Sequence, residues 1–111
     1  MEAVMIDTDT EWKRLCQLEE IPRLGSRVVA GTRHGDIAVF RTADDDVFAM
    51  HDKCPHKGGP LSQGIVHGRT VTCPLHSWKI QLEDGQAVAP DVGCTRPFSA
   101  KVESGVVFLK L

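Results

Sequence analysis

Four side chains that can bind a metal lie in two short motifs of the 111-residue sequence. The first motif reads Cys54-Pro-His56 and the second reads Cys73-Pro-Leu-His76, with sixteen residues between His56 and Cys73. Each motif offers one thiolate and one imidazole, which are donors that suit zinc and iron. We therefore expect two loops that share one metal centre.

Zinc and a binuclear iron–sulfur cluster are the two metal centres that these donors favour. Structural zinc sites usually pair like donors along the chain, as C-x₂₋₄-C with H-x₃₋₅-H. Here the order is Cys, His, Cys, His, and donors two residues apart suit two adjacent metals better than one. In a Rieske [2Fe–2S] centre, two histidines replace two cysteines on one iron. That arrangement assigns Cys54 and Cys73 to one iron and His56 and His76 to the other, with zinc or an unfilled ligand set as alternatives.

The run Cys54–Leu61 followed by Cys73–His76 resembles the Rieske signature C-x-H-x₁₆-C-x-x-H. The resemblance implies an all-β fold, a Rieske-type antiparallel sandwich or barrel with an inserted cluster-binding subdomain. The single domain would span residues 1–111 and the subdomain about residues 50–82. The resemblance also implies that a [2Fe–2S] cluster is bound by four ligands: Cys54, His56, Cys73 and His76.

Two features separate the sequence from the Rieske subunits of respiratory and photosynthetic bc complexes. Those subunits carry an extra cysteine in each loop, where this sequence has Gly59 or a neighbour and Leu75. High-potential members also have a serine and a tyrosine hydroxyl after the second histidine, where this sequence has Trp78 and Ile80. Without those hydrogen bonds the reduced cluster is less stabilised, so we expect the low end of the Rieske range of roughly −150 to +300 mV.

Among the remaining Rieske proteins, the sequence most resembles the small subunit of assimilatory NAD(P)H-dependent nitrite reductase. The stretches that carry this resemblance are Ile21–Gly25, Ile37–Arg41, Lys57–Val66, Cys73–Ile80 and Ala89–Thr95. Ring-oxygenase ferredoxins usually lack the Gly93-Cys94 pair after the cluster motifs. One departure is Ser77, which stands where that family has asparagine.

The resemblance to nitrite reductase implies a subunit of an enzyme with no catalytic residues of its own. Its cluster would transfer electrons or support the assembly. The large partner subunit would bind FAD, siroheme and a further iron–sulfur cluster and would reduce nitrite to ammonium. The alternative is a soluble Rieske ferredoxin that passes electrons to an aromatic-ring oxygenase.

Composition and charge argue against several other classes of protein. Thirteen Lys and Arg against fifteen Asp and Glu give a formal net charge of −2, which disfavours a general nucleic-acid binder. No stretch approaches the roughly 20 apolar residues of a membrane helix, and Met1–Asp9 lacks the features of a signal peptide. We therefore expect a cytoplasmic protein, in which cysteines bind metals more often than they form disulfides. Two disulfides would remain possible in an oxidising compartment.

Short strands are the elements that must position the two motifs, because apolar residues mostly alternate with a period of two. The predicted strands are Val28–Ala30, Asp36–Arg41, Val47–His51, Val71–Cys73, Lys79–Leu82, Phe98–Val102 and Val106–Lys110. The segment Glu11–Glu20 could form a helix, although Trp12–Cys16 fits a strand as well. Turns are predicted at Gly31–Gly35, Thr42–Asp46, Asp84-Gly85 and Ser104-Gly105, and the acidic run within Thr42–Asp46 is expected to be solvated.

The other cysteines and histidines have weaker claims to a role. We expect Cys16 to be buried and inert, and Cys94 to serve packing or docking rather than metal binding. His34, His51 and His67 are expected at the surface.

Several cations surround the two motifs, namely Lys53, Lys57, Arg69 and Lys79. They are either ordinary solvated side chains or a rim that docks an acidic partner. Trp78 is expected to pack behind the second loop.

Overall fold

Nine β-strands run through the residues that this computed structural model describes, which are 12–55, 58–74 and 77–110. They are β1 (Trp12–Gln17), β2 (Ser26–Thr32), β3 (Gly35–Arg41), β4 (Val47–His51), β5 (Ile65–His67), β6 (Thr70–Thr72), β7 (Lys79–Gln81), β8 (Pro97–Glu103) and β9 (Val106–Lys110). Two single 3₁₀ turns, Leu18–Glu20 and Leu61–Gln63, are the helical segments of the described chain. No helix within these ranges is long and apolar enough to span a bilayer.

All strands pair antiparallel, in two sheets. The larger sheet has the order β1-β9-β8-β4-β3-β2, and the smaller has the order β5-β6-β7. In the larger sheet β4 and β8 pair only at Ala49 with Phe98 and Met50 with Pro97. The sheet therefore divides into two three-stranded halves that meet at this short contact.

The predicted all-β fold is confirmed, with two differences in the elements. The ambiguous segment after Glu11 is a strand, β1, that ends in the 3₁₀ turn Leu18–Glu20. The strand Ile65–His67 was not predicted, because it is short and only Val66 is buried while Ile65 is 69% exposed. A single buried residue gives no alternation from which a strand could be recognised.

The core consists of two hydrophobic clusters on opposite faces of β3. Ala38 and Phe40 belong to the first cluster, whereas Ile37 and Val39 belong to the second. Successive side chains of a strand point to opposite faces, so β3 is buried on both sides. The first cluster also contains Cys54, Leu61, Val66, Val71, Cys73, Ile80 and Leu82, and it therefore lies beneath both cysteine motifs.

The turn Thr42–Asp46 forms as predicted, but its carboxylates are not simply solvated. Asp45 accepts hydrogen bonds from Arg41 at 3.0 Å and from Arg23 at 3.2 Å. The Arg41 hydrogen bond, aided by Arg23, holds the pKa of Asp45 below its usual value. Asp46 pairs with Arg69 at 3.2 Å. The acidic run is therefore joined to two distant segments, through Arg23 and Arg69.

Candidate metal centre

Two buried thiols define the candidate site. Cys54 follows β4 and Cys73 directly follows β6, and their exposed fractions are 3% and 2%. The four cysteines all lie within the described residues and are not joined by disulfides, which excludes the disulfide alternative in this structure. Both thiols belong to the same hydrophobic cluster, so they are kept from bulk water on their protein side.

The first cysteine loop is closed by two backbone hydrogen bonds. The Cys54 N–H donates to the Gly59 carbonyl at 2.8 Å, and the Gly58 N–H donates to the Cys54 carbonyl at 2.8 Å. Gly58 has a φ of 72°, which lets the chain reverse within five residues. The Asp52 carboxylate also accepts from the Ser62 N–H at 2.7 Å and from its hydroxyl at 2.8 Å, which joins the two ends of the loop.

The second cysteine loop closes in the same way. The Cys73 N–H donates to the Trp78 carbonyl at 2.7 Å, and the Ser77 N–H donates to the Cys73 carbonyl at 3.2 Å. Ser77 has a φ of 60°, although it carries a side chain. The Trp78 side chain packs against the first hydrophobic cluster, as predicted. The two cysteines thus lie at equivalent positions of two similar loops.

A third segment lies against both loops. A Cβ built on Gly93 would lie 3.1 Å from the Pro55 Cβ and 3.7 Å from the Trp78 Cζ3. The Gly93 carbonyl accepts from the Ala87 N–H at 2.9 Å, and Ala87 in turn forms an isolated β-bridge with Ile80 of β7, the strand that follows the second loop. Beside it, Val92 is 87% exposed. The segment places an exposed apolar side chain next to the cysteine loops.

The two predicted histidine ligands lie outside the described residues. His56, with Lys57, and His76, with Leu75, fall in the two gaps of the described ranges. Within those ranges no three His, Cys, Asp or Glu side chains gather as a metal site. The donors that are described nevertheless fit a metal cluster, because both thiols are buried, outside any disulfide and held in matching loops.

The cysteines outside the motifs differ sharply in exposure. Cys16 is buried as predicted, and burial raises the pKa of its thiol despite the nearby Arg27. A raised pKa keeps the thiol protonated and unreactive. Cys94 is exposed, and its backbone forms an isolated antiparallel β-bridge with that of Gln86.

His67 is exposed, as expected, whereas His51 and His34 are only partly exposed. His51 is half-buried and its Nε2 hydrogen-bonds the His34 carbonyl. His34 is also half-buried, and its Nδ1 accepts from the Arg96 guanidinium at 3.2 Å. Both rings contact Phe98, at centroid distances of 5.2 and 5.7 Å. The three residues come from distant segments, so their contact has no local signal in the sequence.

The predicted cationic rim is smaller than expected. Lys53 and Lys79 are exposed, whereas Lys57 lies outside the described residues. Arg69 forms ion pairs with Glu83 at 2.8 Å and with Asp46 at 3.2 Å, and its guanidinium lies 5.0 Å from the centre of the Phe48 ring. Its charge is neutralised locally, so it does not belong to the rim.

The two matching cysteine loops on an antiparallel β fold define a metal-binding β protein. The family of the Rieske [2Fe-2S] domain matches residues 11–99, and the chain therefore belongs to the Rieske family. Rieske proteins are components of oxidoreductases, and their domain carries a [2Fe–2S] cluster that transfers electrons. Nothing in the described residues conflicts with that membership.

Relatives of known function include both carriers and larger oxygenases. The ferredoxin subunit of 3-phenylpropionate/cinnamic acid dioxygenase from Photorhabdus laumondii is 33% identical, over 86% of this chain and 90% of its own. The 4β-methylsterol monooxygenase of Methylococcus capsulatus is 34% identical over 67% of this chain, but the match spans only 23% of that enzyme. The chain thus matches most of a ferredoxin subunit and about a quarter of a longer oxygenase.

Solved structures of nitrite reductase subunits share the fold. One, provisionally assigned as the small subunit of an NADPH nitrite reductase, is 25% identical, with a TM-score of 0.78 over 89% of this chain and 97% of its own. Another, provisionally assigned as the small subunit of an NADH-dependent nitrite reductase of Mycobacterium tuberculosis, is 24% identical, also with a TM-score of 0.78, over 89% and 93%. Both likenesses concern the fold.

Proposed function

We propose that this chain is the small subunit of an NAD(P)H-dependent assimilatory nitrite reductase. Cys54 and Cys73 would bind one iron of a [2Fe–2S] cluster, and His56 and His76 would bind the other. When bound, this cluster supplies a one-electron redox centre of low potential. Hydride oxidation and nitrite reduction would take place on a large partner subunit with FAD, siroheme and a further iron–sulfur cluster.

The paired cysteine loops are the part of the chain that suits this role. Their backbone hydrogen bonds hold Cys54 and Cys73 in place before any metal binds, so metal binding would require little further ordering of the loops. The apolar cluster beneath them excludes water from one side of the thiols. The three-stranded sheet β5-β6-β7 and the two loops would together form the cluster-binding subdomain at about residues 50–82.

The observation that favours nitrite reductase is the position of the segment Ala89–Thr95. Its sequence, with the Gly93-Cys94 pair, is one of the stretches that resemble the nitrite reductase subunits. Gly93 lies against Pro55 of the first loop and Trp78 of the second. The segment that carries the resemblance therefore lies beside the two loops that would hold the iron–sulfur cluster. A partner that exchanges electrons with the cluster would contact the chain there.

Co-purification tests the assignment. The tagged full-length chain would be isolated anaerobically from its own cells grown on nitrate, and the absorption spectrum of the captured partner recorded. We expect one large partner with flavin and siroheme bands, in a complex that oxidises NADH or NADPH only when nitrite is present. A non-haem-iron oxygenase or a separate flavin reductase in its place would contradict the proposal.

A mobile carrier for an aromatic-ring oxygenase is the second candidate. It is favoured by the 33% identity to the Photorhabdus laumondii ferredoxin subunit, which extends over 86% of this chain and 90% of that one. A carrier must release its partner at each turnover, whereas a subunit stays bound. The two candidates therefore differ in whether the captured partner survives gel filtration at submicromolar concentration.

A further inference from the structure

The outer face of β1, β9 and β8 presents aromatic and cationic side chains in two rows. The strand register aligns Trp12–Lys110–Ser99 in one row and Arg14–Phe108–Lys101 in the next. Leu109 and Val107, which alternate with these residues on β9, are buried. Because alternate residues point to opposite faces, the two rows face away from the core.

The charge of these strands is opposite to that of the whole chain. They carry four cations, Lys13, Arg14, Lys101 and Lys110, and a single carboxylate, Glu103. The full sequence has a net charge of −2. Positive charge is thus concentrated on one half-sheet, and this half-sheet contains neither cysteine motif.

Two lysines of this face converge on one aromatic ring. The Nζ of Lys101 lies 4.4 Å from the centre of the Trp12 ring, and the Nζ of Lys110 lies 5.5 Å from it. Two ammonium groups that lie this near to the same ring repel each other, because each is closer to the ring centre than the Debye length of about 8 Å in physiological salt, and screening between them is therefore incomplete. Glu103 pairs with Lys101 at 3.3 Å, but its side chain remains 61% exposed. An anion bound between the lysines would relieve the repulsion.

A cleft of about 500 Å³ opens beside the Trp12 ring, where β4 and β8 separate. Its apolar lining comes from Trp12, Val47, Phe48, Leu82, Phe98 and Ala100. On its far wall Glu83 is paired with Arg69 at 2.8 Å, but Arg69 is also paired with Asp46 at 3.2 Å, so the arginine offsets only part of the negative charge of the two carboxylates. The charged side chain in the lining of the cleft is therefore Glu83, whereas both lysines lie beside the cleft, against the Trp12 ring.

We propose that this face, here called the Trp12 face (Trp12, Arg14, Lys101, Phe108 and Lys110), binds an acidic, extended segment of a protein partner. A carboxylate of the segment would lie between Lys101 and Lys110, and a neighbouring apolar side chain would enter the cleft. A nucleic acid fits less well, because the chain has a net charge of −2 and the Glu83 carboxylate in the cleft would repel phosphate groups. The inference concerns a second surface, separate from the cysteine loops, and goes beyond the proposed function.

Peptide binding to the full-length, metal-loaded chain tests the Trp12 face. The probe is a labelled ten-residue peptide that alternates glutamate and valine, followed by fluorescence anisotropy. We expect the variant Lys101→Gln/Lys110→Gln to bind at least about fivefold more weakly at low salt, and high salt to remove most of the difference. A peptide with glutamine in place of glutamate should also bind at least about fivefold more weakly.

The matched control removes two positive charges elsewhere, as Arg23→Gln/Arg27→Gln. We expect it to change the affinity by less than about twofold, and an equal loss in both double variants would overturn the proposal. So would tighter binding of a single-stranded oligonucleotide than of the peptide. Neutralising the acidic residues before Trp12, as Glu2→Gln/Asp7→Asn/Asp9→Asn/Glu11→Gln, should leave the affinity unchanged. A tenfold rise would instead make that segment the occupant.

Discussion

Gly58 and Ser77 occupy the same place in the two cysteine loops. Each donates its N–H to the carbonyl of the cysteine four residues earlier, and each has a positive φ, 72° for Gly58 and 60° for Ser77. Only one of the two positions carries the residue that this conformation favours. The second loop therefore stores conformational strain that the first avoids.

Opposite substitutions at these two positions should have opposite effects on stability. Gly58→Ala should lower the free energy of unfolding by about 1–2 kcal/mol, since a Cβ there meets nothing within 4 Å and only the left-handed conformation is penalised. Ser77→Gly should raise it by about 0.5–1 kcal/mol. Denaturant unfolding of the metal-free chain measures both changes. Equal destabilisation by the two variants would contradict the equivalence of the loops.

The proposed ligand set predicts which residues are needed for the visible absorption of an iron–sulfur cluster. Cys54→Ser, Cys73→Ser, His56→Ala and His76→Ala should each remove the absorption and lower the iron content from two atoms per chain. Cys94→Ser, an exposed cysteine outside the motifs, is the matched control and should retain both. A colourless wild-type protein that contains zinc would contradict the iron–sulfur assignment itself.

A comparison of Gly85 with Gly105 distinguishes two costs of adding a Cβ atom: the strain of a positive φ and a steric clash with neighbouring backbone. Their φ values are 73° and 75°, but a Cβ on Gly85 would lie 2.1 Å from the Thr95 carbonyl oxygen, whereas one on Gly105 meets nothing within 4 Å. Gly105→Ala should cost about 1–2 kcal/mol of unfolding free energy. Gly85→Ala should cost at least about 2 kcal/mol more, because the backbone of Thr95 must move. Thermal unfolding of both variants tests the difference, and similar costs would contradict it.

His34 should make the fold less stable as the pH falls. Partial burial lowers the pKa of His34, and the charges of Arg96 and Arg33 lower it further. Below the ordinary histidine pKa of about 6.5 the unfolded chain therefore binds a proton more readily than the folded chain does. Above pH 6.5 this group should not affect stability. Between pH 6.5 and the lowered pKa of His34, stability should decline as the pH falls.

The variant His34→Gln isolates this contribution, because glutamine can still accept the Arg96 hydrogen bond but does not titrate. We expect the fall in Tm between pH 7.5 and pH 5.5 to be smaller in His34→Gln than in the wild type. His67→Gln, which removes an exposed histidine, serves as the control and should behave like the wild type. If His34→Gln and the wild type lost the same Tm, another group would govern the acid response.

Val92 should contribute to partner binding under the proposed function. Its side chain is 87% exposed beside the cysteine loops, so Val92→Asp should leave the fold intact. Loss of one buried valine contact and the addition of a charge should weaken the partner complex by about tenfold or more. The control Val28→Asp alters another exposed valine, on β2. Binding to the purified partner is the measurement, and equal affinities would place the interface elsewhere.

Much of this fold could be predicted from the sequence because its signals are local. The strands β3 and β4 were recognised from apolar residues between turns, and their turn Thr42–Asp46 from its acidic run. The twin cysteines were found because their motifs are short and contain all their donors. Strand β5 was not found, since it buries only Val66 and is stabilised by its partner β6.

The contacts that the sequence did not reveal are those between distant segments. Arg69 appeared to be a free cation, yet it lies between Glu83 and Asp46. His34 lies 62 residues from Arg96 along the chain. The equivalence of Gly58 and Ser77 had a signal, because each follows a cysteine by four positions. The equivalence was not recognised because the two residue types differ, and backbone hydrogen bonds leave no pattern in the sequence.

The burial of β3 on both faces has a consequence for how the protein loses its structure. Neighbouring residues of this one strand, such as Ala38 and Val39, complete different hydrophobic clusters. If disorder that begins around the cysteine loops displaces β3, the first hydrophobic cluster loses Ala38 and the second loses Val39 at the same time. The two halves should then unfold in one cooperative transition, in which amide protons of both halves exchange together.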